Sequence, residues 1–219
     1  MTLNPTRCLF SVRQFRLVNV ATLVFSAAFY GTLLSNIIFL QTVWHYSVMR
    51  AALATSPGPL VVAVVANFST RLAHKIGPRI VLGIGALCYA TSLAFYAGVT
   101  SAHPQWQTHW LPFALLLGVG IGMTLPVQSS AAVQALPPAR FALGSAINAS
   151  FRQLGAVLGI SLFVAVLGTP SSANGAVNAF HHVWWLFAAF GVFSGLVIWT
   201  PRLGGRAAGR GVPEVGPAA

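Results

Sequence analysis

The stretch LGSAINASFRQLGAVLG, residues 143–159, is apolar and rich in glycine, and it carries one arginine, Arg152, near its middle. The nearest charged residue on its N-terminal side is Arg140, and the next one on its C-terminal side is Arg202. A positive charge in such surroundings needs a partner or a route to water. The chain contains a single acidic residue, Glu214. The segment therefore has the composition of a membrane helix with an isolated positive charge in it.

The rest of the chain has the same character. Hydrophobic residues make up 56% of its 219 positions and charged residues only 6%, whereas a soluble domain carries about a quarter charged residues. Four long runs, 17–49, 51–70, 80–139 and 153–201, contain no Lys, Arg, Asp or Glu. A helix of about 20 apolar residues spans the hydrocarbon of a bilayer. The sequence therefore predicts an all-α integral membrane protein.

Six membrane-spanning helices are expected, with loops between them that are polar or contain proline. The stretches 101–109 and 169–180 interrupt the apolar runs in this way. The predicted spans are 17–44, 48–69, 80–100, 110–133, 142–168 and 181–200. Residues 1–16 form an N-terminal segment, and the Gly-, Pro- and Arg-rich residues 201–219 are expected to be a flexible tail. The first apolar run is too long for a cleaved signal peptide, so we interpret it as a retained span.

The basic residues predict the orientation of these spans. If the N-terminus is cytoplasmic, ten of the basic residues between spans fall on the cytoplasmic side and only Arg50 falls outside, which is a strong positive-inside signal. Both termini are then cytoplasmic, in the plasma membrane or inner membrane of the cell. The net charge of +11 does not indicate a nucleic-acid partner, because the basic residues lie between apolar segments.

A polar stripe follows one face of the first span. Asn19, Thr22, Ser26 and Tyr30 are three or four residues apart, and Asn36 and Gln41 lie further along the helix. Polar groups in a membrane must face protein or water. Two interpretations stay open, a substrate path and interhelical hydrogen bonds. On the first interpretation the candidate cavity residues are Asn19, Ser26, Tyr30, Asn148 and Arg152.

Prolines and glycines predict where helices break or pack closely. Pro57, Gly58 and Pro59 are expected to break the second span, because proline removes a backbone donor. In transporters broken helices often mark binding sites, although proline is also common in ordinary spans. Gly118 and Gly122, one turn apart in the fourth span, form a small face that favours close helix packing.

The fifth span has a stripe of small and polar residues with a period of about four. Arg140, Gly144, Asn148 and Arg152 begin it, and Gly155 and Gly159 continue it. At a rise of ~1.5 Å per residue, Arg152 lies about 18 Å along the helix from Arg140. Either its side chain extends towards the membrane surface, or it faces a central cavity where a carboxylate absent from this chain meets it.

The loop TRLAHKIGPR, residues 70–79, resembles the cytoplasmic motif G-x-x-x-D-R-x-G-R-R of the major facilitator superfamily. Gly77 and Arg79 match and Lys75 keeps a positive charge, but Thr70 replaces the first glycine and His74 replaces the acid. The stretches at 39–60 and 129–155 look like the last six spans of the fourteen-span drug:proton antiporters of that superfamily. The resemblance covers about residues 14–200.

This resemblance implies a six-helix half bundle, built as a 3+3 repeat, of a transporter that works by alternating access. It also implies that Thr70, His74, Lys75, Gly77 and Arg79 form the cytoplasmic gate. The expected partners are the lipid bilayer, a small-molecule substrate, protons and an N-terminal half bundle. Neither a cofactor nor an enzymatic activity is expected.

Two functional hypotheses follow. The first is half of a transporter that exports lipophilic or cationic small molecules in exchange for protons. The second is a truncated or split-gene fragment that is inactive alone and assembles with a partner half, because no span contains the carboxylate that proton coupling generally needs. A homodimer would bring two copies of Arg152 and still no membrane carboxylate. Five histidines near the predicted outer face offer no clear metal-ligand spacing, so no metal site is expected.

Overall fold

The computed structural model describes residues 13–134, 136–170 and 172–199, and every regular element among them is helical. The first twelve residues of the predicted N-terminal segment, and the predicted tail at 201–219, lie outside the described residues. Within these ranges seven α-helices follow one another, and their bounds are α1 Arg13–Thr42, α2 Val48–Thr55, α3 Pro57–Ile76, α4 Pro78–Val99, α5 Leu111–Gln134, α6 Phe141–Leu167 and α7 Ala173–Trp199. A π-helical turn, Trp106–Trp110, leads into α5, and a 3₁₀ turn, Pro138–Arg140, leads into α6.

Within this described part, six helical stretches are long and apolar enough to cross a membrane. The second of them, Val48–Ile76, combines α2 and α3, which are separated only by Ser56. The interruption follows from covalent structure, because neither Pro57 nor Pro59 has a backbone N–H to continue the helix. The Ser56 hydroxyl and backbone N–H both donate to the Leu53 carbonyl, at 2.8 and 3.3 Å, so this carbonyl keeps its hydrogen bonds.

The last helix is longer than the sequence suggests. It begins at Ala173 rather than near residue 181. The polar residues before it act as a helix start: the Ser172 hydroxyl accepts from the Gly175 N–H at 3.1 Å, and its carbonyl accepts from the Ala176 N–H at 2.9 Å. Similarly, the second span continues to Ile76 rather than 69, because Gly77 (φ 95°) is the first residue whose backbone leaves the helical region.

The helices pack as two triplets that make equivalent contacts. The first triplet is α1, α2–α3 and α4, and the second is α5, α6 and α7. The first helix of each triplet packs against the middle and third helices of the other: α1 against α6 and α7, and α5 against α3 and α4. The third helices of the triplets, α4 and α7, pack against each other. This arrangement is the six-helix half bundle with an internal 3+3 repeat that the sequence predicts.

Burial is uneven among the spans. In the apolar windows of the second and fifth spans only 11% and 22% of the residues are buried, against 44–56% in the other four. Their exposed apolar side chains follow helical spacing: Leu60, Val64 and Phe68 on α3, and Leu154, Val157 and Val164 on α6. The middle helices of the two triplets therefore have broad apolar faces that the described part of the chain does not cover.

The two ends of the bundle differ in chemistry. At one end, which we call the aromatic end, Phe39, Trp44, Trp110 and Trp184 pack together with ring centroids 5.0–6.5 Å apart. At the other, which we call the basic end, lie Arg16, Arg71, Lys75, Arg79 and Arg140. The Trp44 indole donates to the Ser101 carbonyl at 2.8 Å, which fixes the end of α1 to the loop after α4.

Candidate functional site

A cavity of about 310 Å³ lies between α1 and the α2–α3 junction, with α5 as its floor. Its walls are mostly apolar, and the few polar groups come from α1, the junction, Tyr96 of α4 and Trp110. The lining residues are Phe29, Thr32, Leu33, Asn36, Ile37, Thr55, Gly58, Pro59, Val62, Ala63, Tyr96, Trp110, Ala114, Leu117, Gly118, Ile121 and Leu125. A volume of this size is at the lower end of the range for small-molecule sites, about 300–1,000 Å³.

The break in the second span shapes this cavity. Gly58 and Pro59 are in its lining, and Gly118 of α5 faces them so closely that a Cβ atom on Gly118 would lie 2.7 Å from the Gly58 carbonyl oxygen. The contact brings the junction against α5 and leaves the gap on the side of α1. Because Pro59 cannot donate to the Thr55 carbonyl, the break also leaves one backbone acceptor of the lining without its helical partner.

Two polar side chains of α1, one turn apart, lie in the cavity wall. The Thr32 and Tyr89 hydroxyl groups share a hydrogen bond of 2.7 Å. The Asn36 amide oxygen accepts from the Trp184 indole N–H at 3.0 Å. Both partners lie deeper in the bundle, on α4 and α7, and both bonds are buried. These bonds fix Thr32 and Asn36 from the side away from the cavity, as preorganised sites require.

The polar stripe nearer the start of α1, with Asn19, Thr22 and Ser26, lies in the contact with α6. The Asn148 amide nitrogen donates to the Asn19 Oδ1 and to the Thr22 Oγ1, each at 3.1 Å, and the Asn19 amide donates to the Phe15 carbonyl at 2.8 Å. Ser26 is fully buried, and its hydroxyl has no partner among the described residues. The structure thus brings Asn19, Ser26 and Asn148 together at one helix–helix contact.

Tyr30 and Arg152, the other two predicted cavity residues, are half-buried. Tyr30 packs edge-on against Phe29 with ring centroids 4.9 Å apart. Arg152 lies one turn after Asn148, one turn before Gly155 and about two turns before Gly159, at the margin of the α1–α6 contact. None of the five predicted residues lines the 310 Å³ cavity. Their role in a larger cavity completed by another bundle remains a prediction.

The loop between α3 and α4 forms part of a second cavity, of about 220 Å³, at the basic end. Thr70, His74 and Gly77 line it together with Ser130 and Gln134 at the end of α5. Lys75 is exposed beside the cavity and Arg79 is half-buried. Three of the five residues predicted for the gate therefore share one polar cavity.

The four glycines singled out in the fourth and fifth spans lie where helices approach most closely. A Cβ on Gly122 would lie 2.9 Å from Val65 Cβ, so Gly118 and Gly122 contact the second span. Gly155 and Gly159 contact the first span: a Cβ on either would collide with backbone atoms of α1, those of Leu23 and Ala27. Both contacts join the first helix of one triplet to the middle helix of the other.

The histidines at the aromatic end lie apart or bind backbone groups. Within the described ranges no three His, Cys, Asp or Glu side chains lie close enough to hold an ion. His181 instead binds the Thr100 carbonyl through Nε2 at 2.9 Å, which joins α7 to the end of α4.

Sequence reasoning noted Asn36 but did not assign it to a site, and it did not include Thr32. The spacing of four between them was visible. However, the pairing that fixes Asn36 involves Trp184, 148 residues away, and nothing in the sequence indicates that pairing.

Comparison with known proteins places the chain among transporters. The family model of the Major Facilitator Superfamily matches residues 3–160. The Multidrug resistance protein B homolog of Mycobacterium tuberculosis is 27% identical over 164 residues, which cover 73% of this chain and 29% of that protein. The Puromycin resistance protein pur8 of Streptomyces alboniger is 30% identical over 140 residues, 63% of this chain and 28% of that protein. The chain thus spans less than a third of the length of these relatives.

Proposed function

The chain belongs to the major facilitator superfamily, and from this we propose that it is the C-terminal half bundle of a fourteen-span drug exporter. In this role it binds lipophilic or cationic small molecules, and the complete transporter expels them in exchange for protons by alternating access. Names of relatives, which refer to multidrug and puromycin resistance, favour this class of substrate. The apolar cavity beside α1 supports the lipophilic part of this class.

The observation that carries this proposal is the pair of uncovered apolar faces. The second and fifth spans occupy equivalent positions in the two triplets, and their faces are the least buried in the chain. Exposed apolar residues such as Phe68 (62% exposed) and Val157 (64% exposed) can face lipid, but a second six-helix bundle would cover both spans at once. We therefore propose an N-terminal half bundle as the partner of this surface.

Arg152 supports the same partner. It lies near the middle of α6, and the structure gives its guanidinium no hydrogen bond or ion pair with the described residues. The only carboxylate side chain in the whole chain is that of Glu214, in its last six residues. A charge at this depth is costly unless it is paired or reaches water. We propose that a carboxylate of the N-terminal half approaches Arg152 in the central cavity.

Proton coupling is assigned to the partner half for a similar reason. No Asp or Glu occurs in residues 1–213, and a titrating carboxylate within the membrane is the usual proton carrier. The proposed orientation has both ends of the chain in the cytoplasm and the basic end of the bundle on that side of the plasma membrane, as the positive-inside rule favours. Thr70, His74, Lys75, Gly77 and Arg79 would then close the cytoplasmic side.

The second candidate function is a fragment without transport activity of its own. The absence of a membrane carboxylate favours this alternative for the isolated chain, and both candidates predict that a partner half is needed. They differ in what that half restores. A functional half gives transport once it is paired, whereas an inactive fragment inserts into the membrane and gives none.

The test is efflux of the lipophilic cation ethidium from cells. The chain is expressed alone, with the N-terminal part of the Mycobacterium tuberculosis relative, and with that part on its own. We expect efflux that depends on a proton gradient only for the combination. Efflux by this chain alone would reject the half-transporter proposal, and no efflux by the combination, with both parts in the membrane, would favour the inactive fragment.

A further inference from the structure

We propose that the 310 Å³ cavity binds an uncharged lipophilic molecule that carries a hydrogen-bond acceptor, such as a ketone or amide carbonyl, and that Asn36 donates to this acceptor. The proposal rests on the proposed function in one respect, because the molecule would be a substrate of the complete transporter. It adds what that function leaves open, the chemical class that this half of the binding site selects.

The orientation of Asn36 follows from its partner. An indole N–H can only donate, so the hydrogen bond of 3.0 Å from Trp184 must be accepted by the amide oxygen of Asn36. The amide nitrogen is then on the other side, with two N–H donors. Trp184 is fully buried in the aromatic cluster, where its ring packs against Phe39 with centroids 5.0 Å apart. Its position, and with it the direction of the Asn36 amide, is fixed by this packing.

The two donors of Asn36 have no acceptor within the described part of the chain. Asn36 is only 7% exposed, yet it lines the cavity. Other buried asparagines in this structure do have acceptors: Asn19 donates to Phe15 and Asn148 donates to Asn19. The Asn36 amide nitrogen is not fully buried, so it is accessible from the cavity. An acceptor that enters the cavity would supply the missing partner.

The remaining polar groups of the lining also favour a ligand that accepts hydrogen bonds. The Thr32 hydroxyl is bonded to Tyr89, and the Thr55 hydroxyl donates to the Ala51 carbonyl at 3.0 Å. Trp110, which also lines the cavity, has a buried indole N–H without an acceptor in the described residues. Each lining hydroxyl thus already has a partner, Tyr96 included, since it donates to the Trp110 carbonyl at 3.3 Å. The side chains of the lining that have donors without an acceptor among the described residues are Asn36 and Trp110, and a ligand that accepts hydrogen bonds complements them.

The cavity also selects against charge. None of the residues that line it is charged, and its polar side chains are amide, hydroxyl, phenol and indole groups. An ionised ligand would lose its hydration there without gaining an opposite charge, which is costly. The volume of about 310 Å³ and the flat aromatic and aliphatic walls fit two or three fused rings.

The experiment is photolabelling of the purified full chain in detergent with benzophenone, a neutral ketone that reacts with nearby C–H bonds on illumination. We expect mass spectrometry to find the label on α1, α3 or α5 residues of the lining. Two competitors of the same shape separate the contribution of the hydrogen bond from that of apolar contact. Fluorenone carries a carbonyl and fluorene does not. Because a neutral hydrogen bond contributes modestly, fluorenone should protect at about three- to tenfold lower concentration than fluorene.

Variants of the chain test whether the Asn36 amide is the donor. Asn36→Leu should remove the difference between the two competitors, and Trp184→Phe should reduce it by freeing the Asn36 amide. Gln128→Leu is the matched control, because this side-chain amide is also buried but lies outside the cavity, and it should keep the difference. Each variant is compared with the native chain by gel filtration. The competitor pair on the unaltered chain tests the acceptor requirement even if a variant does not fold.

Three results would overturn the proposal: label outside the lining, equal protection by fluorenone and fluorene, or better protection by the cation tetraphenylphosphonium than by fluorenone. None of these results depends on transport. Loss of efflux with the partner half would reject the transport function and leave the binding result intact. Equal protection would reject the acceptor requirement and leave the transport function intact.

Discussion

The side-chain amide of Asn148 donates to the side-chain oxygen of Asn19 at 3.1 Å, across 129 positions of sequence and between the fifth and first spans. Thr22 accepts from the same amide nitrogen at 3.1 Å. The pair lies in the contact between two triplets of the repeat. It therefore links the two triplets, and water does not compete for its hydrogen bonds within the membrane.

This pair should be energetically coupled. We expect a double-mutant cycle with Asn19→Leu and Asn148→Leu to give a coupling of about 0.6 kcal/mol, the average for side-chain hydrogen bonds in membrane proteins. The free energy of unfolding is measured by SDS titration of the detergent-solubilised chain. Asn67, which is exposed and bonds only to its own helix through the Ala63 carbonyl, supplies the control cycle with Asn148. Additive effects for Asn19 and Asn148 would contradict the coupling.

Gly159→Ala should destabilise the bundle. Its new methyl group would collide with the backbone of Ala27, which cannot move aside as a side chain can, and such overpacking costs about 1–3 kcal/mol. The thermal unfolding midpoint of the solubilised chain should fall. Gly98→Ala is the matched control, because nothing lies within 4 Å of the added methyl group and alanine is the better helix former. Its midpoint should stay the same or rise, and a similar fall for both variants would contradict the packing argument.

Arg152→Ala should impair transport more than insertion. If a carboxylate of the partner half pairs with Arg152, its removal leaves that carboxylate uncompensated, which costs about 3–5 kcal/mol for a buried pair. We expect ethidium efflux by the complete assembly to fall at least about tenfold on this basis. The amount of chain in the membrane, measured by immunoblot, should change little. Gln153→Ala, at the exposed neighbouring position, is the control. Equal losses of efflux and of membrane protein would indicate that Arg152 only supports the fold.

The orientation predicts which end reacts with an impermeant reagent. In a background with Cys8→Ser and Cys88→Ser, His103→Cys places a thiol in an exposed loop at the aromatic end, and His74→Cys places one at the exposed basic end. A membrane-impermeant maleimide added to intact cells should label the variant at position 103. It should label the variant at 74 only after the cells are opened. The reverse pattern would place the basic end outside and contradict the positive-inside assignment.

The number and class of helices follow from the sequence because a bilayer restricts what can cross it. About 20 apolar residues are needed for each span and every backbone group must be bonded within the helix, so charge-free runs separated by polar breaks identify spans directly. The helix ends follow less directly from the sequence. α7 begins at Ala173, eight residues before the predicted start, because a polar stretch before a span can be either a loop or the first turns of a helix.

The cavity could not be predicted to the same extent. The sequence shows that one face of α1 is polar, but it does not show which helix that face contacts. The face with Asn19 packs against α6, and Asn36, which belongs to the cavity, lies beyond the stripe selected from the sequence. Contacts between distant parts of the chain, such as Asn36 with Trp184, depend on three-dimensional packing that a single sequence does not record.

The contact of Gly155 and Gly159 with α1 has a mechanical consequence. Since both glycines lie directly against backbone, the two helices have no layer of flexible side chains between them along which they could slide. The same holds where Gly118 approaches Gly58. Each of these two helix pairs must therefore move as one rigid body. Large relative motions are then confined to interfaces lined by side chains, such as the gap between α1 and α3 that contains the cavity. Opening or closing that gap would change both the shape of the cavity and its occupancy.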